Sequence, residues 1–320
     1  MTLVVGAFTI GFILALLSIG VWISFRVLRF TDITVDGTIT LGAAVVAVLL
    51  MHGWSPWLAT LSATLAGGIA GYVTGTLHTR FKIQELLSGI LVMTALYSIN
   101  LRVMGRSNLP LLNTRNIADL STRWLTNWAG DESVLVFGWR VPASEMGMLL
   151  TVAVLTVGVA ILLKWFLVTH LGTALRATGE NSQMIRAQGV NNRAMQVFGL
   201  FCANGLVGMS GALLAQYQGF ADVQMGIGMI VWGLASIIIG EALVGKLSPG
   251  MALCGTIMGT ILFRLLIAIA LRWGLNPNDL KLVTALFVFA ALVFPDQIKR
   301  LIDKWKPYRP AGTERKAAIP

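Results

Sequence analysis

The sequence predicts an all-α polytopic integral membrane protein with about nine transmembrane helices, one of them broken. Composition is the first reason: the 320 residues are 56% hydrophobic and only 12% charged, with a mean hydropathy of +0.77. An ordinary soluble domain does not have that balance. The second reason is that long apolar runs alternate with short polar connections throughout the chain. The third is where the basic residues behind the net charge of +10 fall: in those connections and in the tail, as in cytoplasmic membrane loops. That placement accounts for the charge through membrane lipid and excludes nucleic acid as the partner.

Residues 3–25 make the first span, and Arg26 and Arg29 stop it. No basic n-region or small-residue cleavage site precedes it, so it is expected to be retained. The next apolar run, Thr38 to Met51, has 14 residues, short of the roughly 20 that a crossing needs. It suffices only if Phe30–Asp36 also lies at membrane depth as non-helical backbone buried in protein, which implies a broken helix. Its inner half would begin at Gly37–Thr38 with Asp36 or Thr34 as cap. The alternative is a plain cytoplasmic loop in which Asp32 and Asp36 are ordinary caps.

Pro56 opens a third helix to about Leu77, with Gly67, Gly71 and Gly75 on one face in small-residue packing spacing. Gln84 to Met104 is the fourth. Residues 105–143 form the longest polar connection, an external loop in which Trp124, Trp128 and Trp139 alternate with Arg106, Arg115, Arg123 and Arg140. It suits either a docking partner outside the membrane or an interfacial belt. The fifth helix covers 145–168. The sixth, Ala194 to Tyr217, carries Asn204 and a small-residue face of Gly205, Gly208 and Ala212. Met225 to Val244 is the seventh and ends at Glu241; Met251 to Arg272 is the eighth, with Gly255 and Gly259 in packing spacing and Arg264 deep inside. A charge at that depth is costly and faces a cavity or a partner. Glu241 is the nearest candidate partner in sequence, and a purely structural pair or snorkelling is the alternative. Lys281 to Phe294 is a short ninth helix. The tail, 296–320, holds seven Lys or Arg against three acids.

The charges orient the chain. A cytoplasmic basic tail, with basic connections at 78–82 and 170–193, fits nine crossings with the N-terminus outside. Residues 1–295 form one membrane domain.

Chemistry-bearing motifs are few. Gly240 to Lys246 approaches a phosphate-binding loop until Leu247, where Ser or Thr is needed to hold magnesium, and it follows a membrane helix rather than a strand. ATP hydrolysis by this chain is therefore rejected. Cys202 and Cys254 fall in apolar runs and form no disulfide framework. His52, His78 and His170 stand near span ends without ligand-like neighbours, so no catalytic residue, metal site or cofactor is expected.

The polar stretch from Leu171 to Arg193 is the part that the apolar runs do not explain. Asn181 and Ser182 can cap a helix of about two turns, and Gly189 can end it in a left-handed turn. Its apolar residues, Met184, Ile185 and Ala187, are too few to bury in their own domain and enough to plug a groove on a partner. The alternative is a solvated loop.

This stretch, LGTALRATGENSQMIRAQGVN, followed by a Gly-rich helix and the run GLASIIIGEALVG, resembles the permease subunit of bacterial ATP-binding-cassette importers of the branched-chain amino acid and ribose class. TDITVDGTITLGAAV and LLSGILVMTALYSINLRVMGRSNLPLLN are similar to a subgroup encoded beside tryptophan and tyrosine binding proteins. The resemblance covers nearly the whole chain. It implies a multi-pass protein of the bacterial inner membrane that pairs with a second permease subunit, taken as a second copy. Cytoplasmic ATPases would drive the importer, and an extracytoplasmic solute-binding protein would deliver a small solute, an amino acid of the aromatic kind in this subgroup. It places 181–188 as the coupling helix in the ATPase groove, with Arg176, Glu180 and Arg186 at its rim and Gly179, Asn181, Met184, Ile185 and Gly189 completing the set. It also assigns Asp36, Thr38 and Thr40 of the broken helix to the solute pathway. Asn204, Glu241 and Arg264 join that pathway as the other polar groups at depth. A secondary transporter working without an ATPase is the competing class, although no internal repeat supports it.

Overall fold

The computed structural model describes residues 2–111, 114–129, 133–136, 139–245, 248–274, 279, 282–286 and 289–290. The expected ninth helix lies only partly within these residues, and the tail at 296–320 lies outside them.

Eleven α-helices account for most of the described chain. In order they are α1 (Thr2–Trp22), α2 (Thr34–Met51), α3 (Pro56–Phe81), α4 (Glu85–Met104), α5 (Ile117–Ala129), α6 (Ala143–Val168), α7 (His170–Glu180), α8 (Ser182–Ala187), α9 (Asn192–Gln218), α10 (Met229–Val244) and α11 (Pro249–Arg272). Six of the described helices are long and apolar enough to cross a bilayer: α1 with its π-helical extension to Val27, α2, α4, α6, α9 and α11. The protein is thus an all-α, multi-pass membrane protein. α3 is long, at 26 residues, but Gly and Thr dilute its apolar character, and α10 has only 16 residues.

α9 is the central post. α3 lies along it through Gly67, Gly71 and Gly75, the face expected from their spacing. A Cβ on Gly71 would overlap the Leu200 carbonyl oxygen, and one on Gly42 of α2 would overlap that of Gly208, so backbones touch where small residues face each other. α1 packs against α9, α6, α10 and α11, and its Ile13, Leu16 and Leu17 are fully buried. α10 and α11 run antiparallel: Gly240 abuts Gly255, Ser236 abuts Gly259, and the rings of Trp232 and Phe263 meet at 4.9 Å. α6 is the opposite case, its outer face of Val154, Ile161, Leu162 and Trp165 left open to lipid.

The expected broken second helix is corrected: α2 runs unbroken for 18 residues, and the irregular backbone is confined to the buried connection before it. α1 passes into a π-helical turn at Ile23–Val27, and Arg29 follows with φ +54°. Non-helical backbone then runs from Leu28 to Ile33, with Phe30 and Asp32 at 1% and 2% exposure. α2 begins at Thr34, one turn earlier than expected, because Asp32 Oδ1 accepts from the Thr34 N–H at 2.9 Å. Asp36 therefore sits inside the first turn and does not cap its own helix.

The long connection after α4 is more ordered than a bare loop. β1 (Asn108–Pro110) pairs antiparallel with β4 (Phe220–Asp222), tying the ends of α4 and α9 together. α5 packs on α6, and β2 (Ser133–Val136) and β3 (Trp139–Pro142) form a hairpin.

Candidate functional site

The polar residues expected from the sequence fall into three places. The first is the segment after α6. Thr169 caps α7, accepting from the Gly172 N–H at 3.2 Å, and α7 buries Gly172, Leu175 and Thr178 on one face. This 11-residue amphipathic helix goes beyond the sequence expectation, although the Gly172, Leu175 and Thr178 spacing and the Thr at its start are visible signals of it. Asn181 then caps α8 as expected, its Oδ1 accepting from the N–H groups of Gln183 and Met184 at 3.1 and 3.0 Å, and Gly189 has φ +83°. Met184 is 56% exposed, and Arg186 and Ala187 are exposed beside it. Ile185 corrects the expectation of an exposed plug: it is 4% exposed, because the six-residue helix turns that face onto α7 and α9. Gly179 also faces inward, where a Cβ would overlap the Val27 carbonyl oxygen.

The second place is a cavity of about 270 Å³ on the same side of the protein, lined by Arg26, Arg29, Arg176, Glu180, Glu241 and Ser248. Arg26 and Glu241 form an ion pair within it. The cavity brings Arg176 and Glu180 of the polar segment together with Glu241 of α10, which sequence distance alone does not indicate. Glu241 does not pair with Arg264. Because α10 and α11 are antiparallel, Arg264 stands abreast of the start of α10, whereas Glu241 lies about 18 Å further along.

The third place is the membrane interior. Asn204 lies near the middle of the 27-residue α9, and around it runs a closed set of buried polar contacts. Asn204 Nδ2 donates to Asp32 Oδ2 at 2.6 Å, the Thr38 hydroxyl lies 2.8 Å from Asn204 Oδ1, and the Thr34 and Thr74 hydroxyls meet at 2.8 Å. Thr38, Asn204 and Thr40 are 0%, 0% and 3% exposed, so they brace the interior and do not stand open along a route. Asp36 serves a different helix from its own. Its carboxylate accepts from the N–H groups of Gly228 and Ile230, both at 2.8 Å, at the start of α10. An acid there complements the positive end of the helix. Asp32, the anchor of the break, reads from the sequence only as a cap, because nothing there shows that Asn204 faces it.

Gly240 lies within α10, and a helix rather than a strand leads to Gly245; Lys246 and Leu247 lie outside the described residues. Among the described residues no three His, Cys, Asp or Glu side chains gather where they could hold a metal.

Known proteins share this arrangement's sequence. The family model described as branched-chain amino acid transport system / permease component matches residues 3–293. The chain belongs to this permease family. A tyrosine transport system permease protein of Clostridioides difficile is 42% identical over 289 residues, covering 90% of each chain. An uncharacterized protein of Rickettsia prowazekii is 33% identical over 91% of this chain and 97% of its own. The autoinducer 2 import system permease protein of Yersinia pseudotuberculosis is 26% identical over 91% of this chain and 76% of its own. No solved structure matches. The protein is a membrane permease component of an ABC-type transport system, a class that works with ATPase and binding proteins, and its named relatives are transport permeases rather than enzymes.

Proposed function

We propose that this permease forms one half of the translocation pathway of an ATP-driven importer for an amino acid, aromatic by analogy with the tyrosine-system relative. It sits in the bacterial inner membrane with nine crossings and the N-terminus outside. Residues 1–295 make the membrane domain, and the basic tail 296–320 stays in the cytoplasm. A second copy completes the pathway, two cytoplasmic ATPases drive it, and a solute-binding protein docks on the side of residues 105–143.

One observation carries this reading: α8 is a short capped helix that presents Met184 outward while its neighbour α7 presses Gly179 onto the Val27 carbonyl, at the very start of the break before α2. Met184, Asn181, Arg186 and Gly189 make the surface that enters the ATPase groove. Ile185 and Gly179 hold that surface on the body of the permease. Arg176 and Glu180, beside the Arg26–Glu241 pair, connect it to α1 and α10. ATPase closure moves α7 and α8 together, and the small-residue contacts let packed helices shift as rigid bodies. Asp36, Glu241 and Arg264 belong to the pathway side of this machinery. Thr38, Thr40 and Asn204 shape it from behind.

The test is Met184→Glu in the co-expressed importer. The ATPase recovered with the permease should fall about tenfold, since a lone charge is then buried at the interface, while membrane insertion stays normal. Ile185→Glu should instead lower the folded yield of the permease itself. Normal assembly and ATP-driven uptake with Met184→Glu would sink the coupling assignment. Gradient-driven uptake by the permease alone would establish a secondary transporter.

A further inference from the structure

A cavity of about 420 Å³ opens beside the first turn of α10, between that turn and α11. Sites for small ligands fall in the range of about 300–1,000 Å³. Met225, Met229, Trp232 and Ile267 supply apolar wall, and Gln224, Arg264 and Thr284 the polar part. Trp232 is held edge-on against Phe263, so the indole wall is rigid. Ile227 is 54% exposed at the mouth.

Arg264 is the unusual member. Its Nε is buried and makes no hydrogen bond among the described residues. Tyr217 stands near enough to interact with Arg264 electrostatically, and the nearby acids have other hydrogen-bond or ion-pair partners. Asp36 accepts from Gly228 and Ile230, and Glu145 accepts from the Tyr217 hydroxyl at 3.0 Å. Asp222 accepts from the Gln224 N–H at 2.7 Å and from Asn108, and Glu241 pairs with Arg26 at the far end of α10. A guanidinium at this depth is costly unless it meets an anion, and it matches a carboxylate in two-pronged geometry. Among the described residues no carboxylate forms an ion pair with Arg264.

We propose that this cavity is a station where Arg264 binds the carboxylate of the travelling solute while Met229 and Trp232 receive a large apolar or aromatic body. This rests on the importer reading and sharpens it. The station selects a monocarboxylate with an apolar side chain and discriminates against a neutral, sugar-like solute, which would leave the guanidinium unpaired.

The experiment uses the assembled importer with Cys202→Ala and Cys254→Ala, and Met229→Cys as a reporter in the cavity wall. Tyrosine and tyramine, which differ by the carboxylate, are compared as protectants against a water-soluble methanethiosulfonate. Tyrosine should slow labelling roughly tenfold, tyramine should not, and adding Arg264→Gln should abolish the difference. In a second arm, Arg264→Cys should lose roughly tenfold in uptake and regain it with a reagent that attaches an ammonium group, but not with one that attaches a sulfonate. Equal protection by tyramine, protection that survives Arg264→Gln, or full uptake by Arg264→Cys overturns the station. Amino-acid uptake by the Met229-intact importer separates the two failures: its absence defeats the proposed function, whereas uptake without tyrosine protection defeats the station alone.

Discussion

Two polar places inside the membrane domain answer the same physical problem in opposite ways. Around Asn204 each polar group has a partner: Asp32 receives the Thr34 N–H and the Asn204 amide, Thr38 lies on Asn204, and Thr34 lies on Thr74. Around Arg264 the cation faces a cavity, and its Nε has no acceptor among the described residues. A closed network specifies one geometry, and here it pins the break between α1 and α2 to the middle of α9. An open one leaves free energy to be gained by something that arrives. The first place is therefore a brace, and the second a receptor.

Substitutions that empty each place should separate them. The largest effect is expected from Asn204→Leu, which removes the amide donor to Asp32 and leaves the Thr38 hydroxyl only the Thr34 carbonyl. Leaving a buried acceptor without its donor costs about 1–3 kcal/mol, so thermal unfolding in detergent should show a clear fall in stability or no folded protein. Arg264→Leu should do the reverse. Uptake drops about tenfold or more, while the unfolding midpoint holds or rises, because an apolar residue removes a buried guanidinium whose Nε has no acceptor among the described residues. A stability loss equal to that of Asn204→Leu would make Arg264 a second brace. Thr74→Val tests the edge of the network and should cost about 1 kcal/mol, with the same value for Thr34→Val and no further loss in the double variant. Glu241→Gln should be smallest in stability, under about 1 kcal/mol, because both side chains of its pair with Arg26 are partly exposed; a change in uptake rate measured alongside would mark the pair as part of the moving machinery.

The same contrast explains how much is legible in the sequence. Local signals hold where the chain satisfies itself. Asn181 capping α8, Pro56 opening α3 and Gly189 turning left-handed all depend on neighbours a few residues away. Small residues at Gly67, Gly71 and Gly75 announce a close helix contact, though not that α9 is the partner. α7 escapes a reading by spans because its 11 residues are too polar to register as one, and they merge with the loop around α8. The buried side of Ile185 escapes for the same reason: α7 supplies part of the surface it packs against, and α7 itself escapes that reading.

Composition and apolar run length by themselves determined that this chain lives in a bilayer, since backbone polar groups there must be satisfied within helices. The shortness of one run pointed to irregular backbone near the start, but α2 itself is an unbroken helix of 18 residues. What only the tertiary structure decided is which charges meet. Asp36 serves α10 rather than α2, Glu241 takes Arg26, and Arg264 is left facing a cavity, because antiparallel packing of α10 and α11 sets groups that are close in sequence at opposite ends of a helix. Run length reports the solvent that each segment meets, whereas charge pairing depends on register between helices, and register is set by contacts far apart in the chain.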